Sequence, residues 1–320
     1  ARMSGALLVT GGCGCLGSQF LRDLAGAPDG GPTVVRVLDN LQGGSYRALF
    51  DLPAGRTVRF LEADILDPAS LRFAMAGVDT VVHLAAAVTT SVHFARDRTM
   101  EQVNHWGTAS LVSACIESGV RRLVYASSHA VYGAGGPHSE GDPCRPVGTY
   151  AMSLRSGELA VLAGADRGLE VRVLRFGAFY GDAPLPRFDN VVNRFAMLAA
   201  LGKPLTVFGA GTQRRPVVSV ADASAALRFV LGEREPLPAI VNVAAGNPSV
   251  IEVAEAVRRL RPGTPIHYTE QDVLTHLSFE MDSRLIEARG WHAADRLEAA
   301  LGRLMDRFGG VRAERLAPIS

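Results

Sequence analysis

The stretch Leu7-Leu8-Val9-Thr10-Gly11-Gly12-Cys13-Gly14-Cys15-Leu16-Gly17-Ser18 constrains everything that follows it. An apolar run leads in, and glycines stand at 11, 14 and 17. Phe20, Leu21 and Leu24 then recur at helical spacing. The pattern predicts a strand, a tight turn and the start of a helix. Gly11 lets the backbone turn, Gly14 lets a pyrophosphate approach it, and Gly17 lets the helix pack against the strand. The free N–H groups and dipole of the helix N-terminus suit phosphate. Gly11, Gly14, Cys15, Leu16 and Gly17 are therefore the first candidate cofactor contacts. A bare glycine pattern also fits an ordinary turn, but here the flanking strand and helix are both present.

A second β-rich run, Thr33-Val34-Val35-Arg36-Val37-Leu38, ends in Asp39 and Asn40. Asp39 stands 22 residues past Gly17, near the roughly 20 expected for an acid that binds the adenosine ribose. A carboxylate there accepts from the ribose hydroxyls and repels a 2′-phosphate. The expected cofactor is NAD and not NADP.

Composition narrows the class. The chain has 320 residues, 48% of them hydrophobic, enough for one large core with a smaller lobe beside it. A net charge of +1 implies neither nucleic acid nor a membrane surface as partner. No apolar run approaches the roughly 18 residues of a membrane span, and the start lacks the basic-then-apolar shape of a signal peptide. The cysteines at 13, 15, 115 and 144 show no metal spacing, so no metal site is expected. These features imply a cytoplasmic protein with free thiols. Lys203 is the only lysine beside 32 arginines, which reads as coding bias.

Strand-like and helix-like segments alternate to about residue 175, with strand candidates at 5–10, 33–38, 57–60, 79–84, 121–126 and 170–175. This predicts a Rossmann-type α/β fold with a doubly wound parallel sheet. After the third strand, Asp64 can face the adenine amino group and Ile65 can cover its ring. Alternatively, Asp64 caps the helix that starts at Pro68. The fourth strand ends in Leu84-Ala85-Ala86-Ala87, small enough at 85 and 86 for a cofactor to pass close to the backbone. His83 reads as a packed histidine. Residues 98–118 and 150–166 read as long amphipathic helices, the first holding Asn104, whose amide can tie strands together. Prolines break the pattern beyond 175. The expected organisation is a cofactor-binding domain over 1–175, to which 217–245 returns. Residues 176–216 and 247–310 form a small substrate-binding lobe, and 311–320 a polar tail.

Several segments now resemble one family in the order it uses them. They are Thr10-Gly11-Gly12-Cys13-Gly14-Cys15-Leu16-Gly17, His83-Leu84-Ala85-Ala86, Ser127-Ser128-His129-Ala130-Val131-Tyr132-Gly133, Tyr150-Ala151-Met152-Ser153 and Gln213-Arg214-Arg215. Over roughly residues 5–305 the chain resembles the extended short-chain dehydrogenase/reductases, nearest their nucleotide-sugar epimerase/dehydratase branch. The resemblance implies that Tyr150 is the base that takes the proton of a sugar hydroxyl. Its phenol must ionise well below the usual value of about 10. Ser128 would hold the oxygen being oxidised, and NAD would take the hydride and return it. The resemblance also implies a homodimer through helices 98–118 and 150–166, and a small-molecule, nucleotide-linked sugar as substrate.

The chain departs from the family where charge matters. The family lysine, four residues after the tyrosine, is Leu154 here, which can neither hold the nicotinamide ribose nor lower the tyrosine pKa. Arg155 is the next residue, about 100° around the helix, and either reaches back or is solvated. The asparagine that touches the sugar diphosphate is Ala178. The second phosphate-gripping arginine of an Arg-x-Gly-Asp motif is replaced in Thr269-Glu270-Gln271-Asp272, whereas Arg215 remains at the first grip. Sugar 4,6-dehydratases carry Asp-Glu where this chain carries His129-Ala130. Ala130 cannot abstract a proton. His129 can be an acid or base, or simply line the pocket. The reading is an NAD-dependent epimerase working through a keto sugar. The alternatives are a dehydratase, decarboxylase or oxidoreductase of the same family, or a relative that binds NAD without turnover.

Overall fold

The computed structural model of the chain describes residues 5–26, 34–88, 97–233, 235, 237–270 and 277–311. Its centre is a parallel sheet of β1 (Ala6–Thr10), β2 (Val34–Asp39), β3 (Thr57–Glu62), β4 (Val78–His83), β5 (Arg122–Ser128), β7 (Glu170–Phe176) and β11 (Ile240–Val243). The spatial order is β11-β7-β5-β4-β1-β2-β3. The chain therefore leaves β1 toward β2 and later resumes on its other side at β4. That reversal opens a crevice at the carboxyl ends of β1 and β4, where doubly wound sheets bind ligands. The sequence-read strands all lie in this sheet; Thr33, the first residue of the second, falls outside the described residues.

The strands read as unbroken apolar runs because helices cover both faces. On one face α1 (Cys15–Ala25) packs with α7 (Val220–Gly232), burying Phe20, Leu21, Leu24, Leu227 and Val230. On the other, Leu71 of α2 (Pro68–Met75), Leu111 of α4 (Thr108–Glu117) and Val161 of α5 (Gly148–Ala163) enter the core. Each such side chain, fully buried, contributes about 1.5–3 kcal/mol.

The predicted helix over 98–118 is in fact three pieces: α3 (Asp97–Met100), a π-helical segment (Glu101–Gly107) and α4. The wide turn coincides with a buried side chain that must look inward. Asn104 accepts from the Ala87 N–H at 2.8 Å and donates to the Ala87 carbonyl at 2.9 Å and to Ser153 Oγ at 3.1 Å. It thus ties the segment after β4 to α5. Asp64 does not cap the next helix; the cap is Asp67, whose carboxylate accepts from the Ala69 and Ser70 N–H groups at 3.1 Å. Pro68 at the first helical position makes the residue before it the cap.

Outside the central sheet, β6 (Gly135–His138) pairs with β13 (Phe279–Met281), β8 (Ala178–Tyr180) with β10 (Val217–Ser219), and β9 (Leu205–Phe208) with β12 (Ile266–Thr269). A separate apolar cluster forms where α6 (Val191–Ala200), α8 (Val250–Leu260) and α10 (Leu297–Asp306) meet, centred on Phe195, Val253 and Leu304. Among the described residues no helix is long and apolar enough to cross a membrane.

Candidate active site

A cleft of about 1060 Å³ opens over the crevice between β1 and β4. Gly11, Gly14, Cys15, Leu16 and Gly17 line its floor, Asp39, Asn40, Asp64 and Ile65 one end, and Leu84, Ala85, Ala86 and Tyr150 the other. The turn is close-packed from beneath. Gly11 has φ +70°, and a Cβ on it would lie 2.4 Å from the Ala85 nitrogen. A Cβ on Gly17 would lie 2.4 Å from the Gly11 carbonyl oxygen. At Gly14 such a Cβ would lie 3.3 Å from the Gly11 carbonyl oxygen, with no other atom within 4 Å, so this position is the least crowded of the three. Glycines 11 and 17 shape the turn, and Gly14 exposes it.

Asp39 lines the polar end of the cleft. One carboxylate oxygen accepts from the Cys13 N–H and the other from the Leu41 N–H, both at 2.8 Å. Each oxygen keeps a second lone pair for a hydroxyl. Asn40 donates to Asp64 at 2.8 Å, and Asp64 also accepts from the Leu66 N–H at 2.8 Å. This polar end, the Gly14 backbone lining the cleft at a helix start and the small residues 85 and 86 fit a dinucleotide with unsubstituted ribose hydroxyls. The fit supports NAD.

At the other end Tyr150 stands in the first turn of α5 and lines the cleft, with Ser128 at the end of β5; the Ser128 hydroxyl accepts from the Ala130 N–H at 3.2 Å. Alternation along the strand splits the two serines. Ser127 borders the cleft and donates to Glu158 at 2.6 Å. Glu158, fully buried, also receives Arg175 Nε at 2.9 Å and Nη2 at 2.8 Å. The pair fixes α5 to β5 and β7, and so fixes Tyr150 against Ser128. Arg155 neither reaches back to the phenol nor stands free; its Nη1 donates to Glu158 at 2.7 Å. Leu154 is buried in the core and its edge lines the cleft. Burial pushes the Tyr150 phenol above its ordinary value. The Arg187 charge and the Ser128 hydrogen bond pull it down, and Asp189 opposes them.

His129 follows Ser128 on a short 3-10 turn. Its Nδ1 lies 3.2 Å from the Phe176 carbonyl, a contact that fits Nδ1 as the N–H donor and leaves Nε2 as an acceptor. Burial lowers its pKa to about 4; the Phe176 carbonyl opposes this and the Arg215 charge adds to it. The ring meets Phe279 edge-on at 5.9 Å, and the Arg215 guanidinium lies 5.0 Å from the Phe279 centroid. His129, Phe279 and Arg215 thus form one wall beside Ser128. Arg215 Nη1 also donates to the Arg214 carbonyl at 2.7 Å. Ala178 is half-buried on β8, with its N–H on the Pro216 carbonyl at 2.8 Å. Gln271 and Asp272 lie outside the described residues. His83 is a packed histidine, 2.7 Å from Thr10 Oγ1 and 3.0 Å from Thr108 Oγ1, with its pKa lowered to about 3 by burial.

Sequence reasoning missed Arg187, Asp189 and Phe279. Arg187 and Asp189 sit in the irregular run after β8, where no periodicity marks an inward-facing residue. Phe279 could have been suspected only as an isolated aromatic.

The sequence profile of the NAD-dependent epimerase/dehydratase family matches residues 7–244. A dTDP-glucose 4,6-dehydratase of Streptomyces griseus is 36% identical over 225 residues, 69% of this chain and 67% of that one. Two solved structures share the fold across almost the whole length. The dTDP-glucose 4,6-dehydratase DesIV of Streptomyces venezuelae, solved with NAD, is 27% identical with a TM-score of 0.85, covering 95% of this chain and 97% of that one. The UDP-glucose 4-epimerase of Thermus thermophilus, also solved with NAD, is 28% identical with a TM-score of 0.81, covering 95% and 99%.

Proposed function

The chain belongs to the NAD-dependent epimerase/dehydratase family, and from its site we propose that it is an epimerase acting on a nucleotide-linked sugar through a transient keto intermediate. The observation that carries this reading is Tyr150 lining the cleft from the first turn of α5, with the Ser128 hydroxyl at the end of β5 near enough to pull its phenol pKa down, and with Ala130 where an eliminating enzyme needs a carboxylate. Ser128 holds the sugar hydroxyl, and the ionised Tyr150 takes its proton. NAD, when bound, supplies the hydride acceptor for the adjacent carbon and the donor that restores it. The keto sugar then turns within the pocket, and Tyr150 gives its proton back to the same oxygen. Residues 176–216 and 247–310 form the lobe that holds the sugar nucleotide, with Arg215 on its phosphate. The protein works as a homodimer in the cytoplasm.

A second reading keeps the same first step and adds His129 as acid or base in an elimination, decarboxylation or net oxidation. The neutral, Nδ1-protonated ring and the dehydratase relatives favour it. One experiment separates the two. The purified protein is denatured and its released nucleotide weighed. The intact protein is then incubated with UDP- and dTDP-hexoses and followed by proton NMR. Retained NAD with an epimer of unchanged mass supports epimerisation. Loss of water or carbon dioxide supports the second reading, and consumption of added NAD supports an oxidoreductase. Tyr150→Phe should abolish the redox step; full activity in that variant would pass the base role to His129. Binding of every sugar nucleotide without turnover would favour a non-catalytic relative.

A further inference from the structure

Tyr150 has to meet a sugar hydroxyl at one fixed place, yet it stands at a helix start that its own turn does not secure. α5 begins at Gly148, directly after Val147. Val147 is exposed and apolar, and among the described residues no side-chain cap bond forms at this end. The N–H groups of the first turn therefore lack the partner that a Ser, Thr, Asp or Asn at the cap would give them. Helix ends left in this way open first.

The anchor comes from one turn further on. Ser153, fully buried, donates its hydroxyl proton to the Tyr150 carbonyl at 2.9 Å and accepts from Asn104 Nδ2 at 3.1 Å. Asn104, also buried, accepts from the Ala87 N–H at 2.8 Å and donates to the Ala87 carbonyl at 2.9 Å. Ala87 lines the cleft beside Leu84, Ala85 and Ala86. An unbroken chain of hydrogen bonds thus runs from the cleft wall after β4 to the backbone of Tyr150. Its middle is stiff: α5 lies so close to the π-helical turn that a Cβ on Gly157 would stand 2.4 Å from the Asn104 carbonyl oxygen.

We propose that Ser153 is a positioning residue of this enzyme: its hydroxyl ties the first turn of α5 to Asn104, and so holds Tyr150 in register with the cleft wall at Ala85–Ala87. The proposal rests on the reading of Tyr150 as the base. Ser153 is not among the residues that line the cleft, and it acts through the Tyr150 backbone. Helix formation gives no reason for a serine here. Inside a helix a serine hydroxyl competes for backbone groups, and alanine is the better helix former. What the hydroxyl adds is the bridge, with its proton on one helix and its lone pair toward the other.

Ser153→Ala removes one oxygen atom and leaves both Asn104–Ala87 bonds in place, which gives the test. An α-helix bonds each amide to the carbonyl four residues before it. The amides of residues 152–154 therefore report whether the first turn of α5 is closed. Hydrogen exchange of the full-length protein with NAD added, read by mass spectrometry, follows them without turnover. In Ser153→Ala they should exchange about 5- to 10-fold faster, the scale of one lost hydrogen bond. Peptides from β5 and from the end of α5 should keep their rates. On the UDP- or dTDP-hexose that the protein turns over, kcat should fall about 10-fold, since a small misplacement of a reacting group suffices. KM and the NAD dissociation constant should stay within about twofold. A serine that only builds the helix predicts the opposite sign, because alanine would leave these amides unchanged or slower and kcat at its wild-type value. That result overturns the proposal. Faster exchange spread over the whole protein marks general loosening and overturns it as well, as does faster exchange at 152–154 with wild-type kcat. Should Ser153→Ala not fold, Ser153→Cys takes its place. Its weaker donor predicts the same two changes at smaller size, and wild-type exchange and kcat in it overturn the proposal. Full turnover in Tyr150→Phe would sink the base assignment and the proposal with it. That failure is told apart from a failed tether because the exchange pattern does not depend on turnover.

Discussion

Asp39→Ala tests the cofactor end of the cleft, and the geometry fixes what it should do. The carboxylate carries two separate loads. It accepts from the Cys13 and Leu41 N–H groups, both at 2.8 Å, and so holds the phosphate turn to the end of β2. On this reading its remaining lone pairs receive the ribose hydroxyls. A hydrogen bond to a charged group is worth about 1.5–3 kcal/mol. Loss of one such bond to ribose weakens NAD roughly 10- to 150-fold. NADP should lose far less, because the repulsion between the carboxylate and a 2′-phosphate disappears with the side chain. The ratio of the two dissociation constants must therefore narrow. The same change leaves the buried Cys13 N–H without its acceptor, which costs about 1–3 kcal/mol of stability. Isothermal titration of nucleotide-stripped protein with each cofactor, together with thermal melts, reads both effects. If the melting temperature falls while the NAD-to-NADP ratio stays fixed, Asp39 is only a turn anchor and the assignment of the adenosine end is wrong. Equal affinities in the unmutated protein refute it directly.

Three further outcomes follow from the site. Arg215→Ala should raise KM about 10- to 150-fold with little change in kcat, since a phosphate contact acts on ground and transition states alike; an unchanged KM would show that no phosphate sits there. Sedimentation at micromolar concentration should show a dimer, and Trp106→Glu a monomer. Trp106, Met152 and Leu159 are exposed apolar residues on the two helical segments assigned to the interface, and a monomeric wild type would refute it. The unfolding free energy should fall on acidification between about pH 6.5 and 4. Unfolded histidines bind protons near 6.5, whereas His129 and His83 stay neutral down to about 4 and 3. The stability is thus present above the unfolded value and is lost as pH falls, by up to about 1.4 kcal/mol per pH unit for each histidine. A urea series across this window checks it, and His83→Gln should flatten the slope.

What could be read from the sequence was what short-range spacing encodes. The glycines at 11, 14 and 17, the acid at 39 and the small residues at 85 and 86 each sit at a strand end, and the sheet order carries all of them to one cleft. The cap of α2 was misassigned to Asp64: Pro68 at the first helical position makes Asp67 the cap, a signal that was present in the sequence. The π-helical turn was not. It conserves the apolar stripe of an ordinary helix while turning Asn104 toward Ala87, and periodicity does not separate the two. The electrostatics were the least legible part. Leu154 announces that a charge is missing from α5, but the neighbour that might replace it, Arg155, is drawn off by Glu158, a residue whose burial depends on Arg175 from another strand. Arg187, whose charge pulls the Tyr150 phenol down, comes from a segment without regular structure whose backbone is held by Asn193 of α6. A charge supplied from a helix is fixed by its spacing, and one supplied from a loop is fixed by tertiary contacts. The phenol should therefore respond to loss of the anchor of that loop, such as Asn193→Ala in α6, that leaves α5 itself untouched.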